Sequence, residues 1–142
     1  MKIVLTSLRV FFIILLITTA IGKLLDIQGF ALVIDTYQFH IPYIALAPLA
    51  LAVALFELFL GLALFARYRL RECAILIILM HVGYTVLATT SNLRGLELDN
   101  CGCFGVFLAR PLTWFTVLED LTLTALSVLF YWVAIKFATT SA

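Results

Sequence analysis

Two cysteines separated by one glycine, Cys101-Gly102-Cys103, are the residues whose type and spacing are best suited to chemistry. A disulfide across a single residue closes a very small ring, and Gly102 lowers the backbone cost of that ring because glycine adopts dihedral angles that other residues avoid. Such a bridge hardly restricts the unfolded chain and therefore adds little stability. A strained bridge is also easier to reduce than a relaxed one. The spacing favours thiol–disulfide exchange over a structural staple.

Two other interpretations of the cysteine pair stay open. The pair can form an inert local bridge, or its thiolates can bind a soft metal such as Cu(I) or Zn. A metal site would need a histidine from elsewhere, and His40 and His81 lie far away in the sequence. We therefore predict no metal site. Cys73 is expected to be a buried apolar residue at a helix end, too distant to bridge the other two.

Ionisable residues within apolar stretches form a second set of candidates. Each costs about 2.5–3.5 kcal/mol at the centre of a membrane span, so each needs a partner or a purpose. Arg9 and Glu57 have similar expected depths, which predicts an ion pair that fixes helix register, with proton handling by Glu57 as the alternative. His81 is predicted to be a hydrogen-bonded packing residue, with contact to a quinone headgroup as the alternative.

Glu119 and Asp120 are adjacent acids near the start of the last apolar stretch. Neighbouring residues on a helix point about 100° apart, so the two are not expected to act as a carboxylate dyad. One of them is a candidate base for a thiol of Cys101 or Cys103.

The elements that must position these residues are membrane spans. Of the 142 residues, 65% are hydrophobic and 12% are charged, whereas soluble domains have about 45–50% apolar and about 25% charged residues. The formal net charge is +1, and no basic stripe suggests nucleic acid as a partner. The composition predicts an all-α integral membrane protein whose partner is the lipid bilayer.

Four apolar blocks are long enough to cross a bilayer, which takes about 20 residues. They form one domain over residues 1–142, with spans at about 3–21, 43–66, 73–90 and 112–135. The first block is read as an uncleaved span and not as a signal peptide. Residues 23–42 are more mixed and predict a partly helical segment at the membrane interface.

The distribution of basic residues predicts the orientation of this four-helix bundle. Lysine and arginine are commoner on the cytoplasmic side of membrane proteins. With four spans, one side carries Lys2, Arg9, Arg67, Arg69, Arg71 and Lys136, and the other carries Lys23, Arg94 and Arg110. Both termini are thus expected inside, and the Cys101–Cys103 loop on the periplasmic or other external face, where cysteine pairs are kept oxidised.

Several of these motifs together resemble those of a known family. The string Cys101-Gly102-Cys103-Phe104-Gly105, followed by Pro111-Leu112-Thr113, resembles the MauE branch of the DoxX-like membrane proteins. Further similarities are Gly22-Lys23-Leu24 after the first span and Pro48, Glu57 and Gly61 in the second. One position departs from the family pattern: Glu119 precedes Asp120 where a basic residue is expected, so no family role is carried over to Glu119.

The resemblance implies a four-helix bundle of the bacterial inner membrane that is associated with periplasmic redox maturation. The namesake of the family is linked to methylamine utilisation, which does not by itself imply that role here. We therefore expect a thiol–disulfide component in which Cys101 and Cys103 exchange electrons with a periplasmic thiol protein, with a quinone as a further carrier. The chain has no second external cysteine pair, so such a relay would depend on a partner. The alternative is a non-catalytic accessory subunit of a larger membrane complex, with the CGCFG loop as a locally bridged docking element.

Overall fold

A computed structural model describes residues 2–140, with side chains through Lys136. The described chain forms five helices and no strand: α1 (Lys2–Leu24), α2 (Ile27–Asp35), α3 (Tyr43–Phe65), α4 (Leu70–Leu93) and α5 (Trp114–Thr140). Helices α1, α3, α4 and α5, the last over Trp114–Lys136, are long and apolar enough to cross a membrane. The all-α, four-span prediction is confirmed, and the chain is a multi-pass membrane protein.

Helix α2 is the partly helical piece predicted between the first two spans. It begins where the Asp26 side chain accepts a hydrogen bond from the Gly29 amide at 2.8 Å, which satisfies one of the free amides of the first turn. The interface segment was, however, predicted to start at residue 23. Lys23 instead lies in the last turn of α1, and this position changes its partners.

The core of the bundle is formed by fully buried large side chains from all four spans. Phe12 lies 5.8 Å, centroid to centroid, from Phe130, and Leu16, Leu60, Leu64 and Ile77 fill the space around them. Helix α1 packs mainly on α3, and α4 mainly on α5. Small residues allow this close packing, because an added Cβ on Gly61 would lie 2.8 Å from the Ile17 side chain.

A separate set of contacts closes one end of the bundle, called here the loop end, where α2 and residues 94–113 lie. Tyr37 and Leu98 pack there with residues of α4 and α5, while Phe30 and Ala31 of α2 pack on the first half of α3. The loop end is therefore a second packed region, in which α2 and the loop contact the neighbouring halves of α3, α4 and α5.

The register of α1 against α3 contradicts the predicted Arg9–Glu57 ion pair. Glu57 is paired with Lys23 instead. Arg9 lies fourteen residues earlier on α1, roughly 21 Å along the helix axis, and its buried Nε has no hydrogen-bond partner among the described residues. The prediction was wrong because α1 ends level with the middle of α3, which brings its last turn and not its first half to Glu57.

Candidate functional site

The segment Cys101–Gly105 is seated directly on the last turn of α1. A Cβ added to Gly22 would overlap the carbonyl oxygen of Phe104, and one added to Gly105 would overlap the carbonyl oxygen of Gly22. Gly105 also has a φ of +73°, which side-chain-bearing residues rarely adopt. Glycine is needed at both positions because the two backbones touch.

The end of α1 also supplies a buried ion pair that holds this segment. The Lys23 ammonium donates to both carboxylate oxygens of Glu57 at 2.8 and 2.6 Å and to the Cys103 carbonyl at 3.0 Å. The Tyr84 hydroxyl donates to the same carboxylate. Only 3% of the Lys23 side chain and 1% of the Glu57 side chain are exposed. One network thus connects α1, α3 and α4 to the cysteine loop.

This network places the cysteine loop well inside the bundle. Glu57 lies fourteen residues from the first residue of α3, roughly 21 Å along the axis, and Tyr84 lies nine residues before the end of α4, roughly 14 Å. Because Lys23 contacts Glu57 and the Cys103 carbonyl together, Cys103 lies below the ends of both helices. The loop descends into the space beyond the last turn of α1, which ends level with the middle of α3.

Hydrogen bonds from Tyr37, which follows α2, and from residues of the loop itself fix the backbone around the cysteines. The Tyr37 hydroxyl donates to the Cys101 carbonyl at 2.7 Å, and the Cys101 amide donates to the Arg110 carbonyl at 2.7 Å. Within the loop, the Asn100 side chain accepts from the Gly102 amide and donates to the Gly105 carbonyl. These bonds pre-organise the short turn that carries both sulfur atoms.

Both cysteines are thiols, and their Sγ atoms face each other at 2.6 Å. The hydrogen bond with Cys103 lowers the pKa of the Cys101 thiol to about 7, and the positive charge of Arg110 acts in the same direction against burial. The same bond, together with burial, raises the pKa of Cys103. In the reduced pair, Cys101 is therefore the sulfur that is readily deprotonated, and the thiolate is the reactive form.

Comparison with known proteins gives the family of this chain. The family model described as "Methylamine utilisation protein MauE" matches residues 1–133. The chain belongs to the MauE family. It is 28% identical over 124 residues to the methylamine utilization protein MauE of Paracoccus denitrificans, an alignment that covers 87% of this chain and 66% of the relative. No solved structure gives a significant match.

In this MauE-family chain the cysteine pair lies between two cavities. The larger, about 450 Å³, lies between α1, α4 and α5 and reaches Cys103 but not Cys101. The smaller, about 210 Å³, lies under α2 and is lined by both cysteines and by Tyr37. Four residues line both cavities: Tyr84, Cys103, Thr116 and Asp120.

The other predicted site residues have different surroundings. His81 is 3% exposed and its Nδ1 lies 2.9 Å from the Ile77 carbonyl, yet it also lines the larger cavity. Glu119 accepts from Arg110 at 2.9 and 2.8 Å, in a pair whose side chains are 42% and 36% exposed. Asp120 is 7% exposed and faces both cavities. The two adjacent acids thus lie in different environments: Glu119 is partly exposed and paired with Arg110, whereas Asp120 is buried.

Sequence reasoning missed Lys23, Tyr84 and Tyr37 as members of the site. Lys23 was used for the orientation and the family resemblance but not as a partner of Glu57, although a lysine at the end of one apolar span and an acid in the next were an available signal. Neither tyrosine carries such a signal, because an aromatic residue near a span end is ordinarily an interface anchor.

Cys73 is separate from the Cys101–Cys103 pair, and among the described residues no metal-holding group accompanies either. The Cys73 thiol donates to the Tyr68 carbonyl at the start of α4, where the sequence predicted a buried residue. Within the part of the chain that the structure describes, no group of three or more His, Cys, Asp or Glu side chains has a metal-holding arrangement.

Proposed function

We propose that this protein is a membrane thiol–disulfide redox component whose working group is the Cys101–Cys103 pair. The observation that carries the proposal is the pair itself: two facing thiols on a backbone fixed by Lys23, Tyr37 and Arg110. A turn held in this way keeps the sulfur atoms together in both redox states, which is what rapid opening and closing of a bridge requires.

The reaction is an exchange with a dithiol of a client protein. A client thiolate attacks one sulfur of the oxidised pair, forming a mixed disulfide and releasing the other sulfur as a thiolate. The second client thiol then displaces the remaining sulfur. The client loses two electrons as its own S–S bond forms, and Cys101 and Cys103 gain those electrons and the two protons.

The client is proposed to be a periplasmic thiol protein, and the membrane the bacterial inner membrane. The positive-inside distribution of basic residues supports a loop on the external face. The relative in Paracoccus denitrificans is named for methylamine utilization, and membership of this family supports a membrane accessory role. The chain spans 66% of the length of that relative, so a methylamine-specific role is not part of the proposal.

The test is the redox state of the pair in native membranes. Membranes are acid-trapped, labelled with a mass-tagged maleimide before and after a graded glutathione titration, and compared with a Cys101→Ser/Cys103→Ser control. We expect a bridge that opens at about −200 mV or above, a range typical of exchange-active pairs. A bridge that persists below about −300 mV would be structural and would overturn the proposal in favour of a docking subunit.

Assays of function in cells distinguish an exchange protein from a docking subunit. An exchange protein loses function in Cys101→Ser and in Cys103→Ser while both variants still fold. A docking subunit tolerates both changes. Cys73→Ser is the matched control, because it alters the one cysteine that lies outside the pair.

A further inference from the structure

We propose that the larger cavity is a binding site for a quinone, a lipid-soluble carrier of two electrons and two protons, which reoxidises the Cys101–Cys103 pair. The inference rests on the proposed function for its chemical role. The existence of the site rests on the cavity itself and can be tested without any thiol chemistry.

The position of the cavity favours a ligand that enters from the membrane. It lies between spans α1, α4 and α5, and its flank includes Phe11, Phe115 and Leu118, which are 41%, 64% and 60% exposed on the outside of the bundle. A side facing the lipid admits a hydrophobic molecule directly from the bilayer. The volume of about 450 Å³ falls in the range of small-molecule sites, about 300–1,000 Å³.

The inner end of the cavity presents polar groups whose bonding capacity is unused. Asp120 is 93% buried, being 7% exposed, and its carboxyl group has no hydrogen-bond or ion-pair partner among the described side chains. The His81 ring must donate from Nδ1 to the Ile77 carbonyl, because a carbonyl only accepts. In the neutral ring this leaves Nε2 as a free acceptor. Buried polar groups without partners are costly, and a polar headgroup would satisfy both.

A quinone fits these groups better than a lipid acyl chain does. A quinone carbonyl oxygen accepts a hydrogen bond from the protonated carboxyl of Asp120. After reduction, the quinol hydroxyls donate to the Asp120 carboxylate and to the free Nε2 of His81. An acyl chain offers nothing to Asp120 or His81. The aliphatic and aromatic walls, with Leu15, Met80 and Leu123 among them, suit the ring and the first part of an isoprenoid tail.

The cavity also brings the ligand to one sulfur of the thiol pair. Cys103 lines this cavity and the smaller one, whereas Cys101 lines only the smaller one. Reoxidation then balances: the two thiols lose two electrons as the S–S bond forms, and the quinone takes up those electrons and the two thiol protons and leaves as quinol. Asp120 is a positioning and proton-exchanging residue on this path, in contact with the ligand and not with a client.

Binding is tested first, on the full chain in nanodiscs with Cys101→Ser/Cys103→Ser, which removes the thiol chemistry. The probe is a photoreactive azido-ubiquinone with a short tail. We expect crosslinks confined to the segments of α4 around His81 and α5 around Asp120, and their loss on addition of decylubiquinone. Crosslinks scattered over lipid-facing positions, or unchanged by decylubiquinone, would mean a lipid-filled cavity and overturn the site.

Electron transfer is tested next, with the wild-type pair fully reduced and then mixed with decylubiquinone. Quinone absorbance and free thiol content should fall together, with one quinone reduced for each cysteine pair oxidised. We expect Asp120→Asn and His81→Leu to slow this reaction at least tenfold. Asp35→Asn is the matched control, since Asp35 is exposed at the end of α2 and should have no effect.

The glutathione titration of each variant separates the two proposals. The Asp120 charge also acts on both thiols, so the quinone site is supported if Asp120→Asn slows quinone reduction by much more than it changes the glutathione titration, and if His81→Leu slows quinone reduction with that titration unchanged. Equal quinone rates in all variants overturn the site and leave the thiol function standing. A wild-type pair that does not exchange with glutathione overturns the thiol function, whatever the crosslinking shows.

Discussion

Lys23 and Glu57 form a nearly solvent-free ion pair between the end of α1 and the middle of α3, with the ammonium nitrogen 2.8 and 2.6 Å from the two carboxylate oxygens. The same ammonium holds the Cys103 carbonyl. This relationship links the register of two membrane spans to the position of the thiol pair, so a change at either residue should be felt at both.

The first prediction concerns removal of one partner of this pair. Lys23→Met leaves a buried, uncompensated carboxylate and should destabilise the protein by about 3–5 kcal/mol. Adding Glu57→Gln removes that charge, so the double variant should be more stable than Lys23→Met alone. Thermal unfolding in detergent measures the coupling. Arg9→Met is the control, because Arg9 should combine additively with Glu57→Gln. Additive effects of Lys23→Met and Glu57→Gln on thermal stability would contradict the pairing.

The second prediction concerns the backbone contact between α1 and the loop. Gly22→Ala should displace the loop, because its Cβ would overlap the Phe104 carbonyl oxygen, and the displacement should expose the thiols. The measurement is the alkylation rate of Cys101, which should rise severalfold. Gly83→Ala is the matched control: a Cβ there meets nothing within 4 Å, and alanine is the better helix former by about 1 kcal/mol. Equal behaviour of the two variants would refute the close contact.

The third prediction concerns the pH dependence of Cys101. Its pKa of about 7 means that alkylation of the reduced pair should be slow in acid and rise through pH 7 as the thiolate forms. Cys103→Ala removes the hydrogen bond that contributes most to this shift, so the midpoint should move up towards the ordinary value of about 8.5. A rate profile with iodoacetamide from acid to alkaline pH gives both midpoints. An identical midpoint in the two proteins would show that Cys103 does not set the acidity.

The fourth prediction concerns Tyr37, whose hydroxyl donates to the Cys101 carbonyl at 2.7 Å. Tyr37→Phe leaves that carbonyl without this donor and should cost about 0.5–1.5 kcal/mol, with faster hydrogen exchange at the amides of residues 100–105. Tyr43→Phe makes the same chemical change at a tyrosine that is 76% exposed and should alter neither quantity. Unchanged exchange in Tyr37→Phe would mean that the loop does not depend on this bond.

The fifth prediction concerns the Arg110–Glu119 pair. Both side chains are substantially exposed, so Arg110→Gln should change unfolding free energy by less than about 1 kcal/mol. It should still raise the pKa of Cys101, because the guanidinium charge favours the thiolate. Arg71→Gln, at the other end of the bundle, is the control for a general loss of positive charge. A large loss of stability with an unchanged pKa of Cys101 would mean that Arg110 stabilises the fold and does not act on the thiol.

Part of the site was predictable because it depends on local sequence. The Cys-Gly-Cys spacing determines that two sulfur atoms can meet across one residue, and the structure brings them to 2.6 Å. Lys23 and Glu57 were not matched in advance because span prediction gives the number and approximate bounds of the helices but not their displacement relative to one another along the bundle axis. Helix α1 ends level with the middle of α3, which the hydropathy of its residues does not reveal.

The sequence by itself determined the membrane-spanning class and the number of spans, because runs of apolar residues act through local hydropathy and length. It also determined the family, since the MauE family model matches residues 1–133. Only the tertiary structure decided the stagger of α1 against α3, the descent of the cysteine loop onto Gly22, and the cavity that joins Asp120 and His81 to Cys103. These depend on how side chains from four helices pack together, since packing between helices is set by shape and buried polar contacts that no single segment contains.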